Sequence, residues 1–401
     1  MRILFLYPPS QYLNHSMFKH YTYYAETIEI ISRFIKNIDV LDCAVEMKSR
    51  DEIYASFRKT DYLISLVEPY NIQVANELFS ICKDINKKCK IIVYGTAPVL
   101  FPNYFSKMKD IDNIISNGNF AEGIIRLIFE KNSDNKVLYP TLKAGEHMWG
   151  NSLDSGAPIS LYKYWGKGMY EFTVQVGCPY NCSFCSEKVL FGQEHGSYFE
   201  HRPIEDMLKI LKRVKNEFNS VYFSATTFSY DRDWVIELCN EMVKNDCVIP
   251  WRSDTRIDCI DEELLLNMKK SGVKQLSIGI ESLSDDLLKQ VNKGQKRKSI
   301  IDAIKLCKEN EVNVKALLIL GIPGQTIEDV RDTQELIEKM GIPYRWKEYS
   351  PIRELHEIDI QGRDISDRIV DFSRHTYNVN SIKGLSPKEY MKLLFPEGYI
   401  R

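Results

Sequence analysis

The stretch from Gly177 to Lys188, GCPYNCSFCSEK, brings three cysteines into eight residues, at Cys178, Cys182 and Cys185. A structural zinc site takes four ligands, usually as two C-x2-C pairs, and no second pair or histidine pair follows this one. Three thiolates in the order C-x3-C-x2-C suit an iron–sulfur cluster that keeps one iron open to an exogenous chelating molecule. From the spacing alone, zinc and a purely structural cysteine triplet remain as alternatives.

The bulk properties of the chain narrow the classes of function. Its 401 residues carry a net charge of −2, with 44% hydrophobic and 27% charged residues. This length predicts two domains, and the near-neutral charge gives no electrostatic preference for nucleic acid. The absence of an apolar run of about 18 residues predicts no membrane span, and the opening MRILFLYPPS lacks the features of a secretory signal. We therefore expect a cytoplasmic protein whose thiols stay reduced.

Alternation of apolar strands with amphipathic helices predicts an α/β protein. Residues 1–135 are expected to form a doubly wound, Rossmann-like domain, and the polar, turn-rich residues 136–165 a linker. Six further strand–helix units over residues 166–352 predict a partial (β/α)6 barrel with function at the carboxyl ends of its strands. A short extension of one or two helices and a tail is expected over residues 353–401. The predicted barrel strands are 171–177, 220–226, 248–254, 275–281, 313–320 and 343–350.

The triplet, with the aromatic Phe184 before its last cysteine and its place after the first barrel strand, resembles the radical S-adenosylmethionine (radical SAM) enzymes. The resemblance extends over roughly residues 170–340. It implies that Cys178, Cys182 and Cys185 hold three irons of a 4Fe-4S cluster while SAM chelates the fourth. It also implies reductive cleavage of SAM to a 5′-deoxyadenosyl radical, and a place for Phe184 beside the bound SAM.

The resemblance also implies SAM contacts at the ends of the next two barrel strands. In FSATTF, Ser224 and Thr226 stand where the family often has an acidic residue for the SAM amino group, so contact here would come from hydroxyl and carbonyl groups. In WRSDTRID, Arg256 is the expected partner of the SAM carboxylate, because a guanidinium binds a carboxylate through two parallel hydrogen bonds. An ordinary strand-end composition and a surface salt bridge are the respective alternatives.

Two later strands carry the remaining SAM motifs. SIGIES resembles the ribose motif of the family, with Ser277 and Glu281 as the candidate ribose contacts. In LGIPGQT, the turn at Gly321 and Ile322 is expected to present its backbone to adenine, although such a turn also occurs as a generic connector. Thr326, followed by Asp329 three residues later, predicts the start of the next helix. The last strand suggests three substrate contacts, namely Tyr344, Trp346 and Tyr349.

The N-terminal segment resembles the cobalamin-binding domain that precedes the barrel in the class B radical SAM enzymes. Such a domain binds its ligand at the carboxyl ends of its strands. The cobalt-ligating pattern Asp-x-His-x-x-Gly is absent, and His15 and His20 lie in no such context. The paired glycine that accommodates the nucleotide tail is replaced by Gly95-Thr96. Cobalamin therefore remains an expectation with an alternative, a domain that has kept the fold without the cofactor.

These expectations combine into a cobalamin-dependent radical SAM methyltransferase that acts on an unactivated carbon of a small molecule. The first alternative is a radical SAM enzyme with a vestigial cobalamin domain, which catalyses a dehydration, rearrangement, epimerisation or C–C bond step. The second is a non-catalytic iron–sulfur protein, which would have no use for ribose and adenine contacts. An electron donor such as flavodoxin or ferredoxin is the expected partner, with no membrane and no nucleic acid.

Overall fold

A computed structural model describes residues 1–9, 21–43, 48–130, 135–140, 168–193, 196–197, 199–373, 378 and 380–395. Two six-stranded parallel sheets dominate these residues. The N-terminal part contains the strands β1 Ile3–Tyr7, β2 Ile38–Asp42, β3 Tyr62–Leu66, β4 Lys90–Tyr94, β5 Asn113–Ile115 and β6 Val137–Leu138. Its helices are α1 Tyr21–Ser32, α2 Arg50–Phe57, α3 Ile72–Ile85, α4 Thr96–Leu100, α5 Pro102–Ser106 and α6 Phe120–Phe129.

The N-terminal sheet has the strand order β2-β1-β3-β4-β5-β6, with every pair parallel. Its central strands, such as ILFLY in β1, are apolar throughout because helices cover both faces of the sheet. The Rossmann-like prediction is thus confirmed. The N-terminal sheet continues beyond the predicted domain end at residue 135, because it includes β6 at Val137–Leu138. This strand of two residues is too short to show a periodic pattern in the sequence. Most of the predicted linker, residues 141–165, lies outside the described residues.

The second sheet contains the barrel strands in chain order, β7-β12-β13-β14-β15-β16, again all parallel. The strands from this part of the chain are β7 Met169–Thr173, β8 Gln175–Gly177, β9 Gly192–Gln193, β10 Gly196–Ser197, β11 Phe199–His201, β12 Ser220–Ser224, β13 Trp251–Thr255, β14 Val273–Glu281, β15 Val314–Leu320 and β16 Tyr344–Glu348. The helices are α7 Glu187–Leu190, α8 Ile204–Val214, α9 Arg232–Lys244, α10 Glu262–Lys270, α11 Asp285–Gln290, α12 Arg297–Glu309 and α13 Ile327–Lys339. This sequential order confirms the predicted partial barrel, and a hydrophobic layer packs its strands against the helices.

The described residues of the C-terminal extension form three helices, α14 Ile352–Ile360, α15 Ser366–Ser373 and α16 Pro387–Leu394, where one or two were predicted. Its helices pack against two different domains. Leu355 of α14 and Ile369 of α15 belong to the hydrophobic core of the N-terminal domain, whereas Tyr390 and Leu394 of α16 belong to the core of the barrel. The extension therefore fastens the two domains to each other.

Buried polar contacts also join the domains. Arg202, which is 1% exposed, donates from Nη2 to Glu26 of α1 (3.1 Å) and from Nε to the carbonyl of Thr173 (2.7 Å). The carboxylate of Asp359 in α14 accepts from the backbone N–H groups of Asn103 and Tyr104, both at 2.8 Å. Within the part of the chain that the structure describes, no helix is long and apolar enough to cross a membrane.

Candidate functional site

The three clustered cysteines lie on a loop that follows β8 at the carboxyl end of the first barrel strand. Gly177 adopts φ +74°, a left-handed conformation that glycine reaches without strain, and so turns the chain into the loop. The end of β12 holds this turn, because Thr226 Oγ1 donates to the carbonyl of Gly177 at 2.8 Å. The neighbouring Thr227 Oγ1 lies 3.6 Å from Cys178 Sγ. The structure thus brings Thr226 to the cluster loop, and it adds Thr227, which the sequence did not single out.

A second segment, residues 291–295, clamps the same loop from the side of β14. Ser183 N donates to the carbonyl of Val291 at 3.0 Å, and Asn292 Nδ2 donates to the carbonyl of Asn181 at 2.9 Å. These contacts tie both halves of the cysteine loop to the segment that follows α11. Both halves of the loop are therefore held by contacts within the protein.

The three thiols of the cysteine loop form no disulfide and are partly or largely buried, with Cys182 8% exposed. Burial raises the pKa of the Cys182 and Cys185 thiols, although the charges of Lys293 and Arg256 act in the opposite direction on Cys182. Among the described residues, no three cysteine, histidine or acidic side chains converge as a mononuclear metal requires. A four-iron cluster spaces its three thiolate ligands more widely.

Arg256 lies under the cysteine loop, where it makes a dense set of contacts. Its Nη1 donates to Cys182 Sγ (3.7 Å), its Nη2 to the carbonyl of Lys293 (2.7 Å), and Nε and Nη2 to the Asp258 carboxylate (3.0 and 2.7 Å). Its guanidinium carbon lies 3.7 Å from the centre of the Tyr180 ring, a stacked cation–π contact. These contacts bring Arg256, the predicted partner of the SAM carboxylate, to the cysteine loop beside Cys182.

Glu281 at the end of β14 is held by a buried ion pair with Lys293, whose Nζ lies 2.8 Å from Glu281 Oε1. Both side chains are nearly inaccessible to water. Glu281 has φ +63°, a left-handed conformation that is rare for a residue with a side chain, and it lies at an irregularity in the pairing of β14 with β15. A Cβ on Gly279 would lie 2.5 Å from the Glu281 carboxylate, so glycine leaves the room that the pair occupies.

A small apolar cluster forms beside the cysteine loop. It contains Phe184 and Tyr349, packed against the buried side chain of Ile322. The other members are Leu287, Val291 and Ile319. Gly321 adopts φ +90°, and a Cβ there would meet Asn378 and Tyr390 at about 3 Å, so the C-terminal extension packs directly on this turn. The structure thus assembles Phe184, Gly321, Ile322 and Tyr349 in one place.

The other candidate residues divide between the two faces of the barrel wall. Trp346 is 2% exposed and packs in the hydrophobic layer under the helices, and the Tyr344 hydroxyl donates to Glu338 of α13 at 2.6 Å. Side chains alternate between faces along a strand, so Arg345 and Lys347 project to the opposite face, the barrel lumen. The structure therefore does not bring Tyr344 and Trp346 to the lumen, and substrate contacts from β16 are better sought at Lys347.

Ser277 projects to the lumen side of β14. It hydrogen-bonds to Tyr222 of β12, which also contacts Asp254 of β13. Ser224 ends β12, and its carbonyl accepts from Val174 N at 3.0 Å. Both serines are thus near the carboxyl ends of the barrel strands, with Ser224 beside the entry to the cysteine loop.

The carboxyl edge of the N-terminal sheet has a different character. Three buried hydroxyls, on Ser65 of β3, Tyr94 of β4 and Ser116 after β5, have no hydrogen-bond partner among the described residues. Glu68, which follows β3, accepts from the backbone N–H of Thr96 at 3.1 Å, and burial raises its pKa to about 7. Burial and the nearby Glu68 also raise the pKa of Tyr94. His15 and His20 lie outside the described residues.

The N-terminal sheet and the cysteine loop face each other across an interdomain cavity of about 670 Å³. Ser116 and Asn117 line it from the end of β5, Asn181 and Lys188 from the cysteine loop and α7, and Arg353 from α14. The two domains also touch beside it, where Gly118 N donates to the carbonyl of Leu190 at 2.9 Å.

Comparison with known protein families gives a direct match. The family model of the Radical SAM superfamily matches residues 172–337, a range that runs from β7 to α13. An uncharacterized methyltransferase of Pyrococcus horikoshii is 27% identical over 238 residues, which cover 59% of this chain and 51% of the relative. The anaerobic magnesium-protoporphyrin IX monomethyl ester cyclase of Rubrivivax gelatinosus is 27% identical over 205 residues, covering 50% and 36%. The chain thus spans about half of the length of the first relative and 36% of the second.

Solved structures resemble the whole described architecture. The radical SAM methyltransferase TsrM from Kitasatospora setae aligns with a TM-score of 0.66 at 13% identity, over 88% of this chain and 75% of TsrM. The cobalamin-dependent SAM radical enzyme OxsB aligns with a TM-score of 0.63 at 14% identity, over 96% of this chain and 58% of OxsB. At these identities the likeness concerns the fold. Solved forms of both proteins contain cobalamin, and one form of TsrM also contains a 4Fe-4S cluster.

Proposed function

We propose, on the premise that the chain belongs to the radical SAM superfamily through residues 172–337, that it binds a 4Fe-4S cluster at Cys178, Cys182 and Cys185 and cleaves SAM there. The observation that carries this proposal is the cysteine loop itself, fixed at the carboxyl end of the first barrel strand between Thr226 and the 291–295 segment. When bound and reduced, the cluster supplies one electron to SAM, whose S–C5′ bond breaks to give methionine and a 5′-deoxyadenosyl radical.

Different residues around the loop are expected to contact different parts of SAM. The amino group of SAM is expected at Ser224 and Thr226, where hydroxyl and carbonyl oxygens accept hydrogen bonds. The ribose hydroxyls are expected at the Glu281 carboxylate, which Lys293 holds in position, with Ser277 nearby. Arg256 supports the loop and donates toward Cys182, so its contribution to SAM binding passes through the cluster.

The adenine ring is expected at the apolar cluster of Phe184, Ile322 and Tyr349. A flat heterocycle buries its faces well against aromatic and aliphatic side chains. The turn at Gly321 leaves backbone groups beside this cluster, which fits the hydrogen-bonding edge of the base.

We further propose that cobalamin binds between the N-terminal sheet and the cysteine loop. The unpartnered hydroxyls of Ser65, Tyr94 and Ser116 fit a ligand rich in amide and hydroxyl groups, because a buried polar group without a partner costs about 1–3 kcal/mol. Their place at the carboxyl ends of three neighbouring strands matches the ligand position of doubly wound sheets. Cobalamin would supply a methyl group there, which makes the chain a methyltransferase that acts on an unactivated carbon of a small molecule.

One observation favours a second candidate, a radical SAM enzyme whose N-terminal domain carries no cobalamin. The Tyr7 and Tyr70 hydroxyls lie 2.5 Å apart at the end of β1, so two buried rings fill part of the strand ends where a nucleotide tail would lie. In that case the radical would drive a dehydration, rearrangement, epimerisation or C–C bond step. A reductant such as flavodoxin or ferredoxin, and a cytoplasmic setting, are proposed for either candidate.

Cobalamin retention separates the two candidates. The iron-reconstituted chain is incubated with aquacobalamin, desalted and examined by absorption spectroscopy. Close to one corrin per chain supports the methyltransferase, and transfer of a labelled methyl group from SAM to a small molecule would complete the case. Corrin bands well below stoichiometric level favour the second candidate, provided that the same preparation still forms 5′-deoxyadenosine.

A further inference from the structure

The interdomain cavity has an unusual electrostatic feature at its C-terminal wall. Arg353, in the first turn of α14, has buried Nε and Nη2 atoms with no hydrogen-bond partner among the described residues. The side chain is half-buried as a whole, and a guanidinium cannot discard its charge by losing a proton, so burying these two charged donors without an acceptor is unfavourable. The positive end of the α14 dipole adds to the same potential.

A second cation lies on the opposite wall of the cavity. Lys188 belongs to α7, three residues after Cys185, and it forms no ion pair among the residues that the structure describes. Glu357 is the sole acidic residue in the described lining, and it lies outside ion-pair distance of Arg353. The cavity therefore carries an excess of positive charge from two different domains.

The wall that holds Arg353 is rigidly placed. His356, one turn further along α14, donates from Nδ1 to the carbonyl of Leu100 at 2.7 Å. Asp359 accepts from the N-terminal N–H groups of α5, as described above. The face of α14 that lines the cavity is thus fixed to the N-terminal domain, and Arg353 does not need to reorganise to meet a ligand.

We propose that this cavity is an oxyanion-binding subsite in which Arg353 and Lys188 hold the phosphate or carboxylate group of a small-molecule ligand. A guanidinium matches both groups through paired hydrogen bonds. The anion would come either from the substrate or from the nucleotide phosphate of cobalamin. Because both ligands belong to the proposed function, the inference rests on it. In either case α14 of the C-terminal extension is part of the binding machinery.

The first test uses inorganic phosphate and malonate as probes on the full chain at constant ionic strength, with chloride as reference. Thermal unfolding of the wild type is expected to shift upward with phosphate or malonate. Arg353→Gln is expected to weaken the response by about tenfold or more in apparent affinity, because hydrogen bonds to a charged group are lost. Arg363→Gln, which changes an exposed arginine after α14, serves as the matched control and should respond like the wild type.

Equal responses in the wild type and Arg353→Gln, or no response in the wild type, would overturn the proposal. Since Arg353→Gln also removes a buried charge, its unfolding without anion is recorded first, and Lys188→Gln provides an independent variant at a partly exposed position. A response retained in both variants counts against the subsite even if one of them is less stable.

A second arm identifies the source of the anion. Binding of aquacobalamin is compared with binding of cobinamide, which lacks the nucleotide and its phosphate. If Arg353→Gln weakens the binding of aquacobalamin but not of cobinamide, the anion is the nucleotide phosphate of cobalamin. If the variant binds both corrinoids like the wild type but no longer responds to inorganic phosphate, the anion belongs to the substrate. Loss of corrin binding in the wild type would contradict the proposed methyltransferase without affecting the anion test.

Discussion

The carboxyl ends of the two sheets differ in the pairing of particular buried groups, the ion pairs of the barrel and the groups around Glu68 of the N-terminal sheet. Gln175, Glu187 and Gln295 at the barrel end also carry buried atoms without a hydrogen-bond partner among the described residues. Around the barrel, Arg256 is paired with Asp258, and Glu281 is paired with Lys293. At the N-terminal sheet, Glu68 is hydrogen-bonded to Thr96 but has no ion-pair partner among the described residues, and the Tyr94 hydroxyl has no hydrogen-bond partner there. A set of paired charges is stable before its ligand arrives, whereas unpartnered groups lower stability until a ligand satisfies them.

This difference suggests two kinds of site in one chain. The barrel end is preorganised, so its ligands are expected to meet groups that are already in position. The N-terminal edge carries buried hydroxyls without a hydrogen-bond partner among the described residues, which supports the proposal that a large polar cofactor binds there. Substitutions at the two edges should therefore differ in how they affect the ligand-free chain.

The largest effect is expected at the barrel, from Cys182→Ala. Loss of one of three thiolate ligands should remove most of the iron and abolish SAM cleavage, because only two of the three predicted ligands of the cluster remain. Iron analysis and the visible absorption of the reconstituted chain provide the measurement. Cys247→Ala, at a buried free cysteine outside the loop, is the control and should keep its iron. Full iron in the Cys182 variant would place the cluster elsewhere.

The paired charges of the barrel should be costly to separate. Glu281→Gln leaves the Lys293 ammonium buried without its counter-charge, so the free energy of unfolding should fall by about 3–5 kcal/mol. The double variant Glu281→Gln, Lys293→Gln should lose less than the sum of the single variants, since it removes both charges. Urea unfolding of the four proteins gives the coupling energy. Additive losses would show that the two side chains do not interact as described.

At the N-terminal edge, Glu68 should make stability depend on pH. Its pKa in the folded chain is about 7 against an ordinary value of 4.5, so the folded state holds the proton more tightly than the unfolded state. Its contribution is fully present below the ordinary pKa and is lost as the pH rises through about 7, by about 3 kcal/mol. The difference in unfolding free energy between the wild type and Glu68→Gln, followed from pH 4 to pH 8, isolates this group. A difference that is constant with pH would contradict the buried, unneutralised carboxyl.

Much of the barrel site could be predicted because its signals are local in sequence. The cysteine spacing, the end of β14 and the Thr326–Asp329 capping box all lie within a few residues, and the structure confirms the capping box. The contacts that support the site join residues far apart in sequence. Arg256, which lies 74 residues from Cys182, was predicted only through the family resemblance, and the contact of Asp359 with Asn103, 256 residues away, was not predicted. Such contacts depend on tertiary packing that no short pattern records.

Strand alternation explains the remaining difference. The sequence of β16 offered several side chains for a substrate, but it did not indicate which face of the strand turns inward. In the structure, Trp346 packs in the hydrophobic layer under the helices, and Lys347 projects into the barrel lumen. Similarly, the division of the C-terminal extension between two hydrophobic cores follows from where α14 and α16 pack, and their amphipathic patterns alone do not specify a partner.

The smallest effect is expected from removing a single tyrosine hydroxyl at each of the two sheet edges. Tyr94→Phe removes a hydroxyl without a partner, so the ligand-free chain should be as stable as the wild type or more stable by about 1 kcal/mol, while cobalamin binding weakens. Tyr390→Phe is the matched change at the barrel, where the hydroxyl donates to Glu348 at 3.2 Å, and it should lower stability by about 1–3 kcal/mol. Chemical unfolding and corrin titration measure both. Equal destabilisation by the two changes would remove the distinction between the edges.

The proposed function depends most directly on SAM cleavage at the cysteine loop. The chain is reconstituted with iron and sulfide under anaerobic conditions, reduced with dithionite and incubated with SAM, and 5′-deoxyadenosine is quantified by chromatography. We expect 5′-deoxyadenosine from the wild type and from Cys247→Ala, and none from Cys182→Ala. A fully loaded, reduced wild type that leaves SAM intact, with either dithionite or flavodoxin as reductant, would contradict the central claim.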